Sequence, residues 1–153
     1  MKQTAEDRLH ALRSCLPSRA RALALCELYL EKCYFQPVER ADLLEDILVS
    51  VYDGNSMALR PHKAAVLFMV LAVGALADPS LSPCSPEAET YCVMGLRALN
   101  LRCVSTSPDI ESVMALSLVA AYHGDSSKGR ALEAAWSTMA LTIKLAQKVR
   151  LLP

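Results

Sequence analysis

Six cysteines are the side chains of this sequence best suited to metal or redox chemistry, because thiolates bind zinc and thiols form disulfides. They occupy positions Cys15, Cys26, Cys33, Cys84, Cys92 and Cys103. No two of them are spaced as Cys-x-x-Cys, the pair that structural zinc sites normally contain. Cys92 and Cys103 fall inside apolar helical patterns, where a thiol packs as a small hydrophobic group. The spacing predicts reduced packing cysteines and no bound metal, as in a cytosolic or nuclear protein.

The three histidines do not form a metal-binding pattern either. His10, His62 and His123 each lie further than four residues from any other histidine or cysteine, so no helix face offers two such ligands. We expect each to have a surface or capping role near a helix end. The alternative is that Tyr122, His123 and Asp125 form a small polar cluster that lines a ligand pocket.

The sequence shows no arrangement that is typical of an enzyme. The pairs Glu45–Asp46 and Glu87/Glu89 are too close in sequence to share a helix face, so we expect solvated or capping carboxylates. Residues 124–129 (GDSSKG) hold the residue types of a phosphate-binding loop in the wrong order, after a helix rather than a strand. We predict no catalytic, cofactor-binding or metal-binding residue. Ligand-binding residues, if any, stay unknown.

Charge and hydropathy exclude further classes of function. Sixteen basic and sixteen acidic residues give zero net charge, and the densest basic cluster is Arg13, Arg19 and Arg21. Binding to phosphates needs a concentrated positive face, so we expect no direct contact with nucleic acid. The apolar run at 64–77 is shorter than the roughly 20 residues of a membrane span, and the N-terminus lacks a signal-peptide pattern. We therefore expect an intracellular protein without a membrane segment.

The remaining pattern is helical. Apolar residues make up 53% of the chain, aromatic residues only 5%, and the excess is mostly Ala and Leu, which favour helices. The pattern predicts six or seven helices over about residues 5–14, 18–33, 39–52, 61–77, 86–101, 107–123 and 129–152. Thr4, Ser85 and Ser107 are expected to cap helix starts, and Gly124 to end the sixth helix. The predicted fold is an irregular all-α array around the fourth helix, which has no polar face and should be buried.

The last helix has the clearest amphipathic pattern. An apolar stripe at helical spacing predicts its buried face as Leu132, Ala135, Trp136, Met139, Ala140, Ile143 and Ala146. The solvated side is expected to carry Glu133, Ser137, Lys144 and Lys148. Trp136, Met139 and Ile143 are thus expected to pack in the core rather than to bind a cofactor.

The order of these elements resembles one family. The segment LFMVLAVGALADPSLSPCSPEAETYCVMGLRAL, with its Pro-Glu-Ala-x-x-Tyr helix start, is similar to the middle of the regulatory domain of fungal transcription factors of the xylanolytic-activator type. Residues 113–122, Ala135-Trp136, residues 143–146 and the upstream FQPVERADLLEDILVSVY fit the same family. The resemblance spans about residues 34–152. It suggests N-terminal helices over 1–33 and a regulatory-domain-like region over 34–153 that is truncated at its C-terminus, the two forming one structural unit.

The resemblance implies a non-catalytic, nuclear regulatory domain that modulates transcription. Its partners would be other segments of the regulator, coregulator proteins or a small effector. The family's binuclear zinc cluster usually precedes this domain and has no counterpart here, so neither zinc nor DNA binding is carried over to any residue. We expect a fragment or a shortened paralogue. The alternative function is a generic helical, repeat-like scaffold for protein–protein interaction.

Overall fold

The chain folds into helices alone over the residues that the computed structural model describes, which are 4–33, 36–53, 60–83, 85–104, 106–125 and 131–149. Within them lie seven α-helices: α1 Ala5–Arg13, α2 Arg19–Lys32, α3 Leu48–Asp53, α4 Pro61–Leu76, α5 Pro86–Asn100, α6 Ile110–Asp125 and α7 Ala131–Lys148. A π-helical segment, Asp42–Ile47, runs directly into α3. The predicted all-α class is confirmed.

Polar side chains fix three helix starts, and the caps at Thr4 and Ser85 are the predicted ones. Thr4 accepts a hydrogen bond from the backbone N–H of Asp7, whose carboxylate accepts one from the backbone N–H of Thr4, each at 3.2 Å. The hydroxyls of Ser18 and Ser85 accept from backbone N–H groups in the first turns of α2 and α5. Each bond satisfies a donor that the helix itself leaves unpaired.

Helix α4 lies at the centre of the fold. Thirteen of its 16 residues are buried, and α2, α5 and α6 pack against it. In a solenoid, each repeat contacts only the repeats next to it in the stack. Helix α4 contacts α3 and α5, its neighbours in the chain, and also α2 and α6, which is not the pattern of a solenoid. None of the described helices combines the length and hydropathy that a membrane crossing requires. The prediction of a buried central helix is confirmed.

Two glycines allow the neighbours of α4 to approach closely. A Cβ on Gly74 would overlap the backbone carbonyl oxygen of Leu25 in α2 and lie 3.1 Å from its carbonyl carbon. A Cβ on Gly95 in α5 would lie 2.7 Å from the Sδ of Met69. Helix α2 therefore meets α4 backbone to backbone, whereas α5 meets it through a flexible side chain.

The third predicted helix is wrong in detail. A single α-helix over 39–52 was expected, but residues 42–47 are π-helical, and the backbone N–H of Leu48 donates to the carbonyl of Leu43, five residues earlier. The wider turn inserts one residue into the helical repeat, and Leu43, Ile47, Leu48 and Val51 are all buried. No proline or glycine lies in the segment, so the pattern carries no signal for the π turn.

Both predicted ends of the sixth helix are also wrong. Asp109, not Ser107, caps α6: its carboxylate accepts from the Ser112 N–H at 2.7 Å, and the Ser112 hydroxyl accepts from the Asp109 N–H at 2.9 Å. This reciprocal pair satisfies two backbone donors at once, which the Ser107-Pro108 start would not. Gly124 does not end the helix, which continues to Asp125.

Candidate functional site

The face of α7 that meets the core differs from the predicted one. Trp136 is 71% exposed and Ile143 is 45% exposed, while the buried side chains among those described for α7 are Thr142, Leu145 and Ala146. The side chain of Leu132, predicted for the same face, lies outside the described residues. The predicted core roles of Trp136 and Ile143 are therefore wrong. Thr142 tolerates burial because its hydroxyl donates to the Thr138 backbone carbonyl at 2.7 Å, which leaves no unpaired donor. Helix α7 packs against α6, and its other side faces solvent.

This exposed side forms what we call the α7 surface, made of Glu133, Trp136, Ala140, Ile143 and Lys144. Its centre is apolar and its two ends carry opposite charge, because Glu133 lies in the first turn and Lys144 near the last. Small residues such as Ala140 let another helix approach closely. An exposed tryptophan with an apolar residue, Ile143, about two helix turns further along the same face is typical of a protein-binding surface.

A buried histidine forms the first of two polar clusters elsewhere in the fold. His62, in the first turn of α4, is fully buried, so the expected surface role is wrong. Its Nδ1 lies 3.0 Å from the Asp109 carboxylate and its Nε2 lies 2.9 Å from the Arg102 carbonyl oxygen. Each ring nitrogen therefore has an oxygen within hydrogen-bond distance, which accounts for the burial of this polar side chain. His62 thus joins α4 to the linker between α5 and α6.

The second polar cluster joins the ends of three helices. Arg21 of α2 donates to Asp78, just beyond α4, at 3.0 Å and to both carboxylate oxygens of Glu87 in α5 at 3.1 Å. The Tyr91 hydroxyl donates to Glu87 at 2.9 Å, and Ser80 donates to Asp78 through its N–H and its hydroxyl. Glu87 was expected to be a solvated or capping carboxylate, so its ion pair with Arg21 corrects that expectation.

The pKa values in this cluster follow from these bonds. Hydrogen bonds from Arg21 hold the pKa of Glu87 below its ordinary value, and bonds from Ser80 do the same for Asp78. The bond to Glu87 raises the pKa of Arg21. The carboxylates are therefore charged and paired at neutral pH, which makes them structural groups rather than proton donors.

The described cysteines do not fit a zinc cluster. Cys26 and Cys92 are buried in α2 and α5, and burial raises the pKa of Cys26 to about 12 and that of Cys92 to about 11, which disfavours thiolate ligands. Cys15 and Cys103 are exposed, so Cys103, which lies beyond the end of α5, does not pack in a helix as expected. Among the described cysteines none forms a disulfide. Cys84 lies outside the described residues.

The other candidate residues remain scattered. His10 is exposed on α1, as expected, and the His123 ring meets the Tyr122 ring edge-on at 5.7 Å, with Asp125 exposed at the end of α6. Glu45 and Asp46 are exposed, and Asp46 accepts from Lys63 at 3.1 Å. The six-residue segment that resembles a phosphate loop lies mostly outside the described residues.

The polar groups of the fold therefore serve to hold helices together. No group of three or more His, Cys, Asp or Glu side chains in the described part of the chain is placed to bind a metal ion. Sequence reasoning missed the roles of His62 and Asp109, although a histidine at the start of a wholly apolar helix is a usable signal for a buried polar contact. Among the exposed large apolar side chains of the described residues, Trp136 in the α7 surface has the largest exposed fraction.

Comparison with known proteins supplies the family. The model of the fungal specific transcription factor domain matches residues 26–152, which is most of the chain. The chain belongs to the fungal specific transcription factor domain family. No curated protein and no solved structure matches it significantly. The match includes α3 to α7, the second half of α2 and both polar clusters apart from Arg21, and the family is one of transcription factors rather than of enzymes.

Proposed function

We propose that this fungal specific transcription factor domain is a non-catalytic regulatory module in the nucleus. It modulates DNA-templated transcription through contacts with other segments of the regulator or with coregulator proteins. The observation that carries the proposal is the exposure of Trp136, at 71%, in the centre of an apolar helix face. Tryptophan is the residue most enriched among those that dominate binding energy at protein interfaces.

The composition of the α7 surface supports protein contacts. Its apolar centre, Trp136, Ala140 and Ile143, has charged residues at both ends, and interfaces commonly combine an apolar core with a polar rim. A partner that covers Trp136 removes about 150–250 Å² of side-chain surface from water for that residue alone. The surface thus offers one strong anchor and a rim that orients the partner.

The basic residues of the fold support a role without direct DNA contact. Arg19 binds the Asp53 carboxylate at 2.8 Å, Arg21 binds Asp78 and Glu87, and Arg13 donates to the Tyr52 carbonyl. These three residues were the densest basic cluster of the sequence, and their charges are directed toward the protein itself. We propose that DNA binding belongs to other parts of the regulator, and that this domain needs no metal or cofactor of its own.

A tethering assay tests the proposal. The full chain is inserted between a heterologous DNA-binding domain and an activation domain, and reporter output is compared with that of the fusion lacking the insert. We expect the insert to change the output and Trp136→Ser to abolish most of that change, because loss of a tryptophan anchor worth about 2 kcal/mol weakens binding about 30-fold.

The matched control is Leu23→Ser, which removes another exposed apolar side chain, 42% exposed, from α2. It should leave the effect of the insert unchanged. Reporter output that does not respond to the insert, or that responds equally to the two substitutions, contradicts the proposed function of the α7 surface.

A further inference from the structure

We infer that the α7 surface binds a second copy of this chain, with the two α7 helices antiparallel. The inference names a partner for the surface on which the proposed function rests. It starts from the charges of α7, which carries Glu133 in its first turn, Lys144 and Lys148 in its last turns, and an apolar centre between them. A helix with opposite charges at its two ends is complementary to its own reversed copy.

The two possible directions of pairing differ in electrostatic energy. In a parallel pair, each Glu133 would lie beside the other Glu133 and each Lys144 beside the other Lys144, so like charges would repel. In an antiparallel pair, the acidic end of one helix lies beside the basic end of the other. A two-fold axis through the middle of the contact makes both halves equivalent, as in most homodimers.

Side-chain size sets the register of this pair. Trp136 is the largest residue of the surface and Ala140 the smallest near its centre, so packing favours Trp136 against Ala140 of the second copy. In an antiparallel pair, a residue that lies n positions before Trp136 in one copy then faces the residue that lies n positions after Ala140 in the other. Glu133, three residues before Trp136, faces position 143 of the second copy, one residue from its Lys144. The packing register and the charge register therefore agree.

The size of the contact predicts weak association. Helix α7 has 18 residues, or about 27 Å at 1.5 Å per residue, and its packed centre consists mainly of two tryptophans, two isoleucines and two alanines. The two tryptophans supply about 300–500 Å² of the roughly 1,200–2,000 Å² that a standard stable interface buries, and only two isoleucines and two alanines add to them at the centre. We expect a dimer that forms at micromolar concentration rather than a permanent one.

Sedimentation velocity on the full chain, from about 1 to 100 µM, brackets micromolar affinity. We expect a concentration-dependent shift from monomer to dimer, and at least about tenfold weaker association for Trp136→Ala. Because Trp136 is mostly exposed, that variant should keep the helical content of the wild type by circular dichroism. Leu23→Ala is the control that should not change the association.

A charge exchange tests the antiparallel register directly. Glu133→Lys and Lys144→Glu should each weaken the dimer, and the double variant should restore it, since each contact is then rebuilt with its charges reversed. The exchange of Glu31 and Lys32 on α2 is the matched control and should have no effect. A wild-type chain that stays monomeric over the whole range, dimerisation that Trp136→Ala does not weaken, or a double variant without recovery overturns the inference.

The two proposals fail separately. If the chain stays monomeric in sedimentation but its insertion still changes reporter output in a way that depends on Trp136, self-association is refuted. The proposed function then stands, with a different protein as the partner of the α7 surface. A dimer without any effect on the reporter refutes the proposed function and leaves self-association.

Discussion

The close approach of α2 and α4 makes Gly74→Ala the most informative single substitution. The added Cβ would overlap the Leu25 carbonyl oxygen and lie 3.1 Å from the Leu25 carbonyl carbon and 3.5 Å from its Cα. All three are backbone atoms inside α2, so no side-chain rotation relieves the clash. Helix α2 as a whole has to move away from α4, which loosens the contacts of buried Leu25 and Cys26.

The magnitude follows from two opposing effects. Overpacking a well-filled core costs about 1–3 kcal/mol, and a clash with backbone belongs at the upper end. Alanine favours a helix over glycine by about 1 kcal/mol, which offsets part of that cost. The net loss in the free energy of unfolding is about 2 kcal/mol. For a chain of this size the expected fall in Tm is about 4–8 °C.

Thermal unfolding followed by far-UV circular dichroism measures this change, and two other glycines supply controls. Gly95→Ala places its Cβ against the flexible end of Met69, which can shift, so we expect a change below about 1 kcal/mol. Gly124→Ala meets no atom within 4 Å and lies inside α6, so it should gain up to about 1 kcal/mol from helix propensity. Gly124→Ala should be the most stable of the variants, Gly95→Ala should lie within about 1 kcal/mol of the wild type, and Gly74→Ala should be the least stable.

A Gly74→Ala chain that unfolds at the temperature of the wild type or above it would contradict the predicted clash. That result would mean that the two helix backbones are further apart than the structure places them. A loss of stability for Gly95→Ala equal to that for Gly74→Ala would show that the Met69 side chain cannot move away from the added Cβ.

Three further substitutions test individual buried polar groups. Tyr29→Phe should leave the stability unchanged or raise it by up to about 1 kcal/mol, because the buried Tyr29 hydroxyl has no hydrogen-bond partner of adequate geometry among the described residues, and burial raises its pKa to about 12. Arg21→Met should lower the stability by about 1–2 kcal/mol at neutral pH, a figure reduced for partial exposure of the pair with Glu87. The folded-state pKa of Glu87 is depressed, so its ion pair with Arg21 stabilises the fold above the unfolded-state pKa of about 4.3. This stabilisation is lost as the pH falls. The free energies of unfolding of the wild type and Arg21→Met, measured by urea titration, should therefore converge below about pH 4. His62→Gln should lower the stability by about 1–3 kcal/mol, since the single amide group of glutamine cannot take the place of both ring nitrogens and one of the contacts, to Asp109 or to the Arg102 carbonyl, is lost.

Matched variants decide these three cases. Tyr52→Phe removes a hydroxyl that donates to the Pro17 carbonyl at 2.7 Å, so it should lose about 1 kcal/mol where Tyr29→Phe loses nothing. Arg19→Met breaks an ion pair that is about half exposed and should change stability by less than about 1 kcal/mol. His10→Gln, at an exposed position, should be neutral. A loss of stability above about 1 kcal/mol for Tyr29→Phe would mean that the hydroxyl has a hydrogen-bond partner. The candidate is the Val38 backbone, which lowers the pKa of Tyr29 and so offsets part of the increase caused by burial.

Much of the fold could be predicted because its signals are local. Ser85 and Pro86 start α5 where expected, since a hydroxyl cap and a fixed proline φ act within one helical turn. The apolar run of α4 allowed one solution, because a helix without a polar face has to be surrounded by other helices. The order of such elements was also sufficient to suggest the family.

The candidate site could not be predicted because it depends on which neighbour each face meets. On α7 more apolar residues are present than α6 can cover, and periodicity alone does not select between Trp136 and Thr142 for burial. Threonine hydroxyls that bond to their own helix make the less apolar choice acceptable. His62 was misplaced for a related reason, since its acceptors lie 40 and 47 residues away along the chain.

The position of Trp136 also decides what fluorescence reports in this protein. It is the only tryptophan of the chain, and its indole is in water before any denaturant is added. Melting of the interior around Phe68 should therefore shift its emission little, so an experimenter who follows indole emission alone would miss the transition. A blue shift of Trp136 emission, by contrast, indicates that a binding partner covers the indole. The unlabelled native chain can therefore report the formation of its own complexes.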